Sequence, residues 1–310
     1  GILVDDVLTL LHNGDPKKTF KDNLLQFAGD NIHNIPVVVT GRKFRKLVRF
    51  TAISESEATE YAFRYINKDN HRYSAIASLG GETFMVYKLD EHARIADVIT
   101  GNQCASGTGE FFLQQIKRMD LTVNEASSIS HDVTPFKVSG RCSVFCKSDC
   151  THALNKGIAK SEVAAGMASM MAEKVHNLLK KVKPGKILVV GGVTKNAMVV
   201  NYLKRLVPDI DIPEEASCFE ALGAALYGFE HDIPLPENYD NIFADSQSSF
   251  VFHQPLNNYK DKVRFRTLEQ GKAKDGDNCI LGLDVGSTTT KAVVIRIEDN
   301  SILGSVYLYT

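Results

Sequence analysis

The residues with the clearest capacity for chemistry lie in the segment DVGSTTTK, which begins at Asp284. Gly286 permits a tight turn, so backbone N–H groups and the hydroxyls of Ser287 and Thr288 can surround a phosphate. Asp284 can hold a water on Mg²⁺, because that ion favours carboxylate and water ligands, and Lys291 can neutralise phosphate charge. The segment is not a P-loop, since G-x-x-x-x-G-K is absent. It predicts a phosphate site with Mg²⁺, and an ordinary hairpin with a polar turn is the alternative.

Two more glycine pairs follow predicted strands. Ligands of open α/β sheets bind in the crevice at the carboxyl ends of the strands. One Gly-Gly pair after a strand is usually only a turn, but this repetition is more than turns require. The residues are Gly80, Gly81 and Glu82 in the first turn and Gly191, Gly192, Val193 and Asn196 in the second.

Four of the six cysteines fall within one short region, which indicates metal or redox chemistry more than a disulfide framework. Cys104 opens the segment CASGTG before a predicted helix, whose N-terminal dipole favours a thiolate. Cys142, Cys146 and Cys150 are spaced by four and so share one helical face. A zinc site formed by these three with His152 is one alternative.

Core packing is another interpretation of a cysteine, because free thiols are among the most buried side chains. We adopt it for Cys218 and Cys279, which stand apart from the others. Cys146 and Cys150 are also candidates for thiols that only line a metal or redox site held by other cysteines.

Strands alternating with helices must position these groups. Asp15 and Pro16 suit the start of one helix, and Ser54 with Glu57 suits a capping box. Strands are predicted at residues 2–11, 36–40, 74–79, 83–89, 95–99, 187–190 and 301–309, with a strand–turn–strand at 279–295. Helices are predicted from residue 17 and at 54–66, 110–119, 144–156, 161–181, 196–206 and 218–229.

The composition predicts a soluble, cytosolic (cytoplasmic) chain of about two domains at 310 residues. The 36 Lys and Arg against 37 Asp and Glu leave a net charge of −1, so no basic excess favours nucleic acid. The apolar runs fall far short of the ~20 residues of a membrane span, and the N-terminal segment lacks a secretion-signal pattern. We therefore expect neither a nucleic-acid partner nor a membrane location.

Taken together, the motifs GGE, CAxGTG, CxVF, GGVxxN, ALGAA and DxGSTxxK resemble those of one family. It comprises the activator ATPases of 2-hydroxyacyl-CoA dehydratases and the benzoyl-CoA reductase ATPase subunits, within the actin, hexokinase and Hsp70 superfamily. The resemblance covers about residues 1–230, with the phosphate hairpin displaced to 279–310. The chain is most similar to a piece of the long tandem activases, which carry two such modules.

The resemblance implies an α/β, actin-like ATPase fold of two ribonuclease H-like lobes, with ATP or ADP and Mg²⁺ between them. Residues 1–75 would form the first lobe without its opening hairpin, completed by the helix at 218–230. Residues 76–217 would form the second lobe, with the cysteine and adenosine motifs. Residues 231–278 would be a linker, and 279–310 the phosphate-binding hairpin of a following module.

The resemblance also implies a homodimer with one [4Fe–4S] cluster at the interface, ligated by Cys104 and Cys142 of each subunit. Two thiolates from each of two chains give the four that a cubane needs. ATP hydrolysis would drive a low-potential electron into an acyl-CoA dehydratase or reductase component. Carried over by motif, the catalytic roles fall to Glu82 and Asp284. The nucleotide-binding positions are Gly80, Gly81, Gly107, Thr108, Gly109, Gly191, Gly192, Val193, Asn196, Gly286, Ser287, Thr288 and Lys291.

The sequence departs from the family at the second phosphate motif, which in the family resembles DIGGQD. Ser78 and Thr83 stand at its two acidic positions, with Glu82 as the acid between them. Because such carboxylates would position Mg²⁺ and the attacking water, one alternative is a nucleotide-responsive module that does not hydrolyse ATP. The other is an actin-like small-molecule kinase, which accounts for the glycine motifs but leaves Cys104 and Cys142 without a role.

The absent opening hairpin would leave strand edges of the first lobe exposed to pairing. The segment 279–309 is chemically the same element, and the linker can span several tens of Å when extended. We therefore expect this hairpin to fill the vacancy beside the strand at 2–11, within the chain or exchanged with another copy.

Overall fold

The structure of the chain is a computed structural model. It describes residues 4, 6–10, 12, 14–28, 34–68, 72–101, 108–129, 132–235, 242–244, 256–264, 266, 268–285 and 289–309. The chain divides into two compact units, Gly1–Ser246 and Gln247–Thr310. The first contains a mixed five-stranded sheet with helices on both faces, and the second contains a three-stranded antiparallel sheet. No helix among the described residues is long and apolar enough to cross a membrane.

The described residues form strands, α-helices and short 3₁₀ helices in the following order along the chain. The strands are β1 (Val38–Val39), β2 (Thr51–Ala52), β3 (Tyr73–Leu79), β4 (Phe84–Leu89), β5 (Ile95–Thr100), β6 (Lys186–Val190), β7 (Ile210–Asp211), β8 (Cys279–Val285), β9 (Thr289–Arg296) and β10 (Ile302–Tyr309). The helices are α1 (Pro16–Ala28), α2 (Glu55–Ile66), α3 (Gly109–Arg118), α4 (Val123–Ser127), α5 (Ser143–Asn155), α6 (Lys160–Leu179), α7 (Ala197–Leu206) and α8 (Phe219–Glu230). The 3₁₀ helices lie at Phe44–Lys46, Gly192–Lys195, Glu214–Cys218 and Leu256–Lys262.

The central sheet has the strand order β5–β4–β3–β6–β7. Strand β3 pairs antiparallel with β4, and β4 with β5, whereas β3, β6 and β7 run parallel. Near the carboxyl ends of the two middle strands, Ser78 is the register partner of Val190. Because these two strands are parallel neighbours, the turns that follow them leave the sheet at the same edge.

Side chains of the central strands alternate between two apolar cores, as the period of two in a strand requires. Leu79 and Val189 face the larger core, which α3, α5, α6 and α7 cover. Ile76 and Leu188 face the second core, which α2 and α8 cover. Ser78 lies two residues beyond Ile76, so it belongs to the face covered by α2 and α8, at the end of the strand.

Two helices, α1 and α2, begin directly after a residue whose side chain caps the helix. Such a cap accepts hydrogen bonds from the first N–H groups, which have no partner within the helix. Asp15 accepts a hydrogen bond from the first turn of α1 at 3.0 Å, and Ser54 accepts one from Glu57 at 3.1 Å. Both predicted starts are therefore confirmed. The sequence interpretation missed α4, although Thr122 and Glu125 form a full capping box there.

The strand predicted at residues 2–11 is wrong at the described positions 4 and 6–10, which have no regular secondary structure. An alternating apolar pattern forms a strand only where a neighbour satisfies its backbone hydrogen bonds. The strand that we expected to pair with the 279–309 hairpin is therefore missing at these positions. Elsewhere in the first unit, β1 and β2 pair in parallel. A small apolar cluster is formed by Phe20, Leu24, Phe50, Ile242 and Phe243.

In the second unit, β9 is the middle strand between β8 and β10, which confirms the predicted strand–turn–strand and third strand. Arg296, at the end of β9, donates hydrogen bonds to Asp277 and Asp299, each at 2.9 Å. The Arg296 hydrogen bond holds the pKa of Asp277 below its usual range. Hydrogen bonds from Ser301 lower the pKa of Asp299 to about 2.

All the residues of β8 are exposed, including its apolar side chains. Cys279, the first of them, is also exposed. The prediction that Cys279 fills a core is therefore wrong. An apolar run predicts a strand correctly, but it does not say whether anything covers that strand.

We expect Gly223→Ala to destabilise the first unit, because α8 crosses α2 at this residue. A Cβ at Gly223 would lie 1.7 Å from the carbonyl oxygen of Ala58. Overpacking costs roughly 1–3 kcal/mol or more, which exceeds the gain of about 1 kcal/mol in helix propensity from alanine. Chemical denaturation of the full chain, followed by circular dichroism, measures the change.

Gly228→Ala in the same helix is the matched control. Its added methyl group would meet the side chains of Val38 and Ile233 and no backbone atom among its nearest contacts. We expect a smaller loss of stability, because a side chain can move aside. Equal free energies of unfolding for the two variants would contradict the close crossing of α2 and α8.

Candidate functional site

Two of the predicted glycine turns meet at one edge of the central sheet. Gly80 and Gly81 follow β3, and Gly191 and Gly192 follow its parallel neighbour β6. Gly80 donates a backbone hydrogen bond to Thr83 at 3.0 Å, which closes the first turn before β4 begins. Both turns therefore stand at the carboxyl ends of strands, where open α/β sheets bind ligands.

Gly191 brings the two turns into direct contact. Its φ of +96° is a conformation that residues with a Cβ rarely adopt. A Cβ at this position would also lie 2.6 Å from the carbonyl oxygen of Leu79. Glycine at 191 thus lets the backbone after β6 pack on the backbone at the end of β3.

The start of α3 forms the third side of this edge. Gly109 and Glu110 donate backbone hydrogen bonds to the carbonyls of Gly80 and Gly81 at 3.3 and 2.9 Å. A Cβ at Gly109 would lie 2.8 Å from a methyl carbon of Val193. The three turns, 80–81, 108–109 and 191–193, therefore form one continuous surface, which we call the glycine rim.

Two positions of the glycine rim face open space. Among the described residues, a Cβ at Gly81 or Gly192 would meet no atom within 4 Å. By contrast, Gly80, Gly109 and Gly191 are packed against neighbouring backbone or side chains. The rim thus has a packed side, which holds its shape, and an open side on which a ligand can approach the backbone closely.

The structure gives local roles to two other predicted residues. The side-chain oxygen of Asn196, Oδ1, accepts hydrogen bonds from the backbone N–H groups of Met198 and Val199 at 3.1 and 3.3 Å, so this side chain caps α7. Glu82 lies on the exposed turn after Gly81, and its carboxylate pairs with Lys43 at 2.9 Å. A nucleotide contact for Asn196 and a catalytic role for Glu82 both stay predictions.

The hairpin motif keeps two of its predicted residues in contact with each other. Asp284 of β8 and Lys291 of β9 are register partners, and their side chains form an ion pair at 2.7 Å. Asp284 is exposed and Lys291 is partly exposed, and an ion pair in contact with solvent contributes about 0–1 kcal/mol. Gly286, Ser287 and Thr288 lie outside the described residues, so the phosphate contacts of this hairpin stay predictions.

Cys142, one of the two predicted cluster ligands, stands at the start of α5. It is the N-cap residue of this helix and is partly exposed. Two apolar side chains in the first turn of α5, Val144 and Phe145, are 69% and 65% exposed. A thiol at a helix N-terminus and within an apolar surface is suited to coordinate a metal at a protein interface. Cys104 and Gly107 lie outside the described residues.

Cys146 and Cys150, one and two turns further along α5, are buried in the larger core. The hydrogen bond with the Cys150 thiol and burial both raise the pKa of Cys146. His152 is exposed, on a different side of the helix. In the ranges that the structure describes, no group of three or more His, Cys, Asp or Glu side chains could hold a metal ion. The zinc alternative therefore has no support from this arrangement.

One carboxylate at this edge was missed by the sequence interpretation. Glu220, in the first turn of α8, accepts a hydrogen bond from the Ser78 hydroxyl at 2.7 Å. The signal was present, because Glu220 is the one charged residue in the apolar segment from Phe219 to Phe229. A charged residue in such a helix needs a polar partner, but the sequence does not say which one.

Solved structures share this architecture. The activator of 2-hydroxyisocaproyl-CoA dehydratase from Clostridium difficile, with bound ADPNP, matches with a TM-score of 0.62 and 28% identity, covering 69% of this chain and 81% of that one. Component A of (R)-2-hydroxyglutaryl-CoA dehydratase from Acidaminococcus fermentans matches with a TM-score of 0.52 and 24% identity, covering 58% and 69%. The chain thus has the α/β, actin-like ATPase fold that the sequence resemblance implied.

Residues 25–228 match the BadF/BadG/BcrA/BcrD ATPase family, and the chain belongs to this family. The 2-hydroxyisocaproyl-CoA dehydratase activator of Clostridioides difficile is 31% identical over 170 residues, which cover 54% of this chain and 64% of that protein. The activator of lactoyl-CoA dehydratase of Anaerotignum propionicum is 27% identical over 158 residues, covering 50% and 61%. The family expected from the motifs is therefore confirmed. The chain spans less than two thirds of the length of each of these two activators.

We expect Gly191→Ala to destabilise the chain by roughly 2–4 kcal/mol, because it combines backbone strain with a clash against Leu79. Gly192→Ala is the control, since its methyl group enters open space. It should change the free energy of unfolding by no more than about 0.5 kcal/mol. Urea unfolding curves of the two full-length variants test this, and equal midpoints would show that the two turns are not in backbone contact.

Proposed function

We propose that this chain is the nucleotide-binding part of an ATP-dependent activator that delivers a low-potential electron to an acyl-CoA dehydratase or reductase component. The observation that carries the proposal is the glycine rim, where three turns join and Gly81 and Gly192 face open space. Membership of an ATPase family supports it. The relative whose solved structure holds ADPNP supports a nucleotide as the ligand.

The nucleotide would lie along the open side of the rim. Its phosphates would contact the backbone of Gly81 and Gly192, where no side chain blocks a close approach. Thr108, the buried N-cap residue of α3, would define one end of the site. Val193 and Asn196, which follow the second turn, would lie towards the adenosine.

The hairpin at 279–310 would supply the phosphate site of a following module. Asp284 would hold Mg²⁺ through water, and Gly286, Ser287 and Thr288 would surround a phosphate. Lys291 would break its ion pair with Asp284 and pair with that phosphate instead. Because an exposed ion pair contributes so little, Mg²⁺ and a phosphate can separate these two side chains at small cost.

Two chains would share one [4Fe–4S] cluster, held by Cys104 and Cys142 of each. When bound, the cluster supplies one-electron chemistry at low potential. The chain's own contribution is to hold Cys142 at the first turn of α5 and to surround it with apolar surface from Val144 and Phe145. Cys146 and Cys150 would stabilise α5 from below, since both are packed into the core.

The division into lobes is part of the proposal. Residues 1–75 with the helix at 218–230 would form the first lobe, residues 76–217 the second, and 231–278 a linker. The packing of α8 on α2 supports this division, because the helix joins an element more than 150 residues earlier in the chain. The second lobe would be the central sheet with the helices over its larger core.

A module that binds nucleotide without hydrolysing it is the second candidate. It is favoured by Ser78 and Thr83, which give the turn after β3 no carboxylate at either position. Thr83 instead accepts a hydrogen bond from Arg42 at 3.3 Å. The two candidates share the glycine rim and differ in whether another residue supplies the lost carboxylate.

We expect the double variant Gly81→Ala/Gly192→Ala to bind ATP about tenfold more weakly, which corresponds to about 1.4 kcal/mol. The two methyl groups would occupy the open side of the rim, where a Cβ at either position has no neighbouring atom within 4 Å in the described parts of the chain. Titration calorimetry with ATP and ADP on the full chain measures the affinity. Gly304→Ala in β10 also points into open space and is the control for a neutral methyl group. Unchanged affinity in the double variant would contradict the proposed location of the nucleotide.

We expect anaerobic reconstitution with iron and sulfide to give a brown dimer with about four irons per two chains. Cys142→Ser should remove the colour and the iron. Cys218→Ser, which changes another partly exposed cysteine, should retain both. Iron analysis and size-exclusion chromatography measure the outcome. Iron retained by Cys142→Ser would contradict the proposed cluster without affecting the nucleotide site.

A further inference from the structure

The start of α8 is fastened to the glycine rim. Gly191 donates a backbone hydrogen bond to the carbonyl of Ala216, in the 3₁₀ helix that leads directly into α8. Phe219 and Leu222, in the first turns of α8, pack into the core beneath the sheet. The first turn of α8 is therefore held at the carboxyl end of β6, on the face opposite the larger core.

Glu220 lies in this first turn and reaches across to β3. Its Oε1 accepts the hydrogen bond of the Ser78 hydroxyl at 2.7 Å. Ser78 is only 4% exposed and lies two residues before Gly80, on the same face of the sheet as α8. Glu220 is partly exposed, so one carboxylate oxygen is anchored and the group still reaches solvent.

The charge of Glu220 acts on the surroundings of β4. Burial is the main cause that raises the pKa of Tyr87, and the negative charges of Glu220 and Glu55 act in the same direction. Arg42 lies on this side too, 3.9 Å from Glu55 and hydrogen-bonded to Thr83. A carboxylate and a guanidinium group thus stand near the turn that has no acid at positions 78 and 83, and whose own acid, Glu82, pairs with Lys43.

We propose that Glu220 supplies, from α8, the carboxylate that orients the water attacking ATP, in place of the acids missing at Ser78 and Thr83. Ser78 is a positioning residue, because it fixes Glu220 through the hydroxyl that replaces the lost acid. The inference rests on the proposed nucleotide site. It distinguishes the hydrolysing activator from the module that only binds nucleotide.

The reaction is the hydrolysis of ATP to ADP and phosphate. The oxygen of the water forms a bond to the γ-phosphorus, and the bond from that phosphorus to the β,γ-bridging oxygen breaks. ADP leaves with the electron pair of the broken bond. Glu220 accepts a hydrogen bond from the water and takes its proton, which then passes to solvent. No electron is transferred in this step, and general-base catalysis of this kind contributes typically 10²–10⁴-fold.

The test compares Glu220→Gln with Glu230→Gln in the full chain. Glutamine keeps the size of the side chain and an oxygen that can accept the Ser78 hydrogen bond, so it removes the charge and leaves the packing. Glu230 is at the other end of the same helix, half-exposed and 4.0 Å from Arg64. Phosphate release measures kcat for Mg²⁺-ATP, and calorimetry measures the affinity for ATP separately.

We expect Glu220→Gln to lower kcat at least about 100-fold, with an ATP affinity within about threefold of the native chain. Glu230→Gln should match the native chain in both. The double variant Ser78→Asp/Glu220→Ala returns the carboxylate to β3, and it should recover kcat to within about tenfold. Native kcat in Glu220→Gln would overturn the proposal. Loss of kcat without recovery in the double variant would also overturn it, because the loss would then come from altered packing of α8.

Two other results separate this inference from the proposed function. A native chain that binds ATP and does not hydrolyse it would overturn the role of Glu220 and leave the nucleotide site intact. A native chain that does not bind ATP would overturn the proposed function itself, and the role of Glu220 with it.

Discussion

The backbone contact between Gly191 and Leu79 is the constraint on which the candidate site depends. Strands β3 and β6 are paired in parallel through Ser78 and Val190, so their two turns leave the sheet a few ångströms apart. A glycine with positive φ at 191 lets the backbone after β6 turn away without a steric clash with the backbone at Leu79. The start of α3 then donates to the carbonyls of Gly80 and Gly81. Contacts between backbone atoms therefore determine much of the shape of the rim.

Local patterns in the sequence were enough to predict most of the helices and strands. The alternation in β3 and β4 and the apolar run of β6 depend on neighbours one or two residues apart, and so do the caps Asp15 and Ser54. The short helix α4 could also have been predicted, since its capping box at Thr122 is local. The first failure was at residues 2–11. There the pattern was that of a strand, but a strand exists only with a partner, and the partner is not a local property.

The backbone of the candidate site could be predicted from the sequence, but the carboxylate of Glu220 could not. Two glycine pairs, at 80–81 and 191–192, could be read as parts of one ligand-binding edge, because parallel neighbouring strands end together. The pair Ser78 and Glu220 is separated by 142 residues in sequence, and the hydrogen bond that joins them depends on how α8 packs over the sheet. The exposure of Cys279 is unpredictable for the same reason, since burial is set by what the rest of the chain places against a strand.

A carboxylate on α8 keeps its position beside β3 only while α8 stays packed over the sheet, whereas a carboxylate on β3 itself does not depend on that packing. Ser78 belongs to the central sheet, whereas α8 packs against α2, with Gly223 against the backbone of Ala58. The hydrogen bond between Ser78 and Glu220 therefore joins two layers, and it holds only while those layers are closed on each other. A strand-borne acid would keep its position if the layers separated, whereas Glu220 would move away with α8. In this chain, the role that we propose for Glu220 therefore depends on the packing of α8 over the sheet.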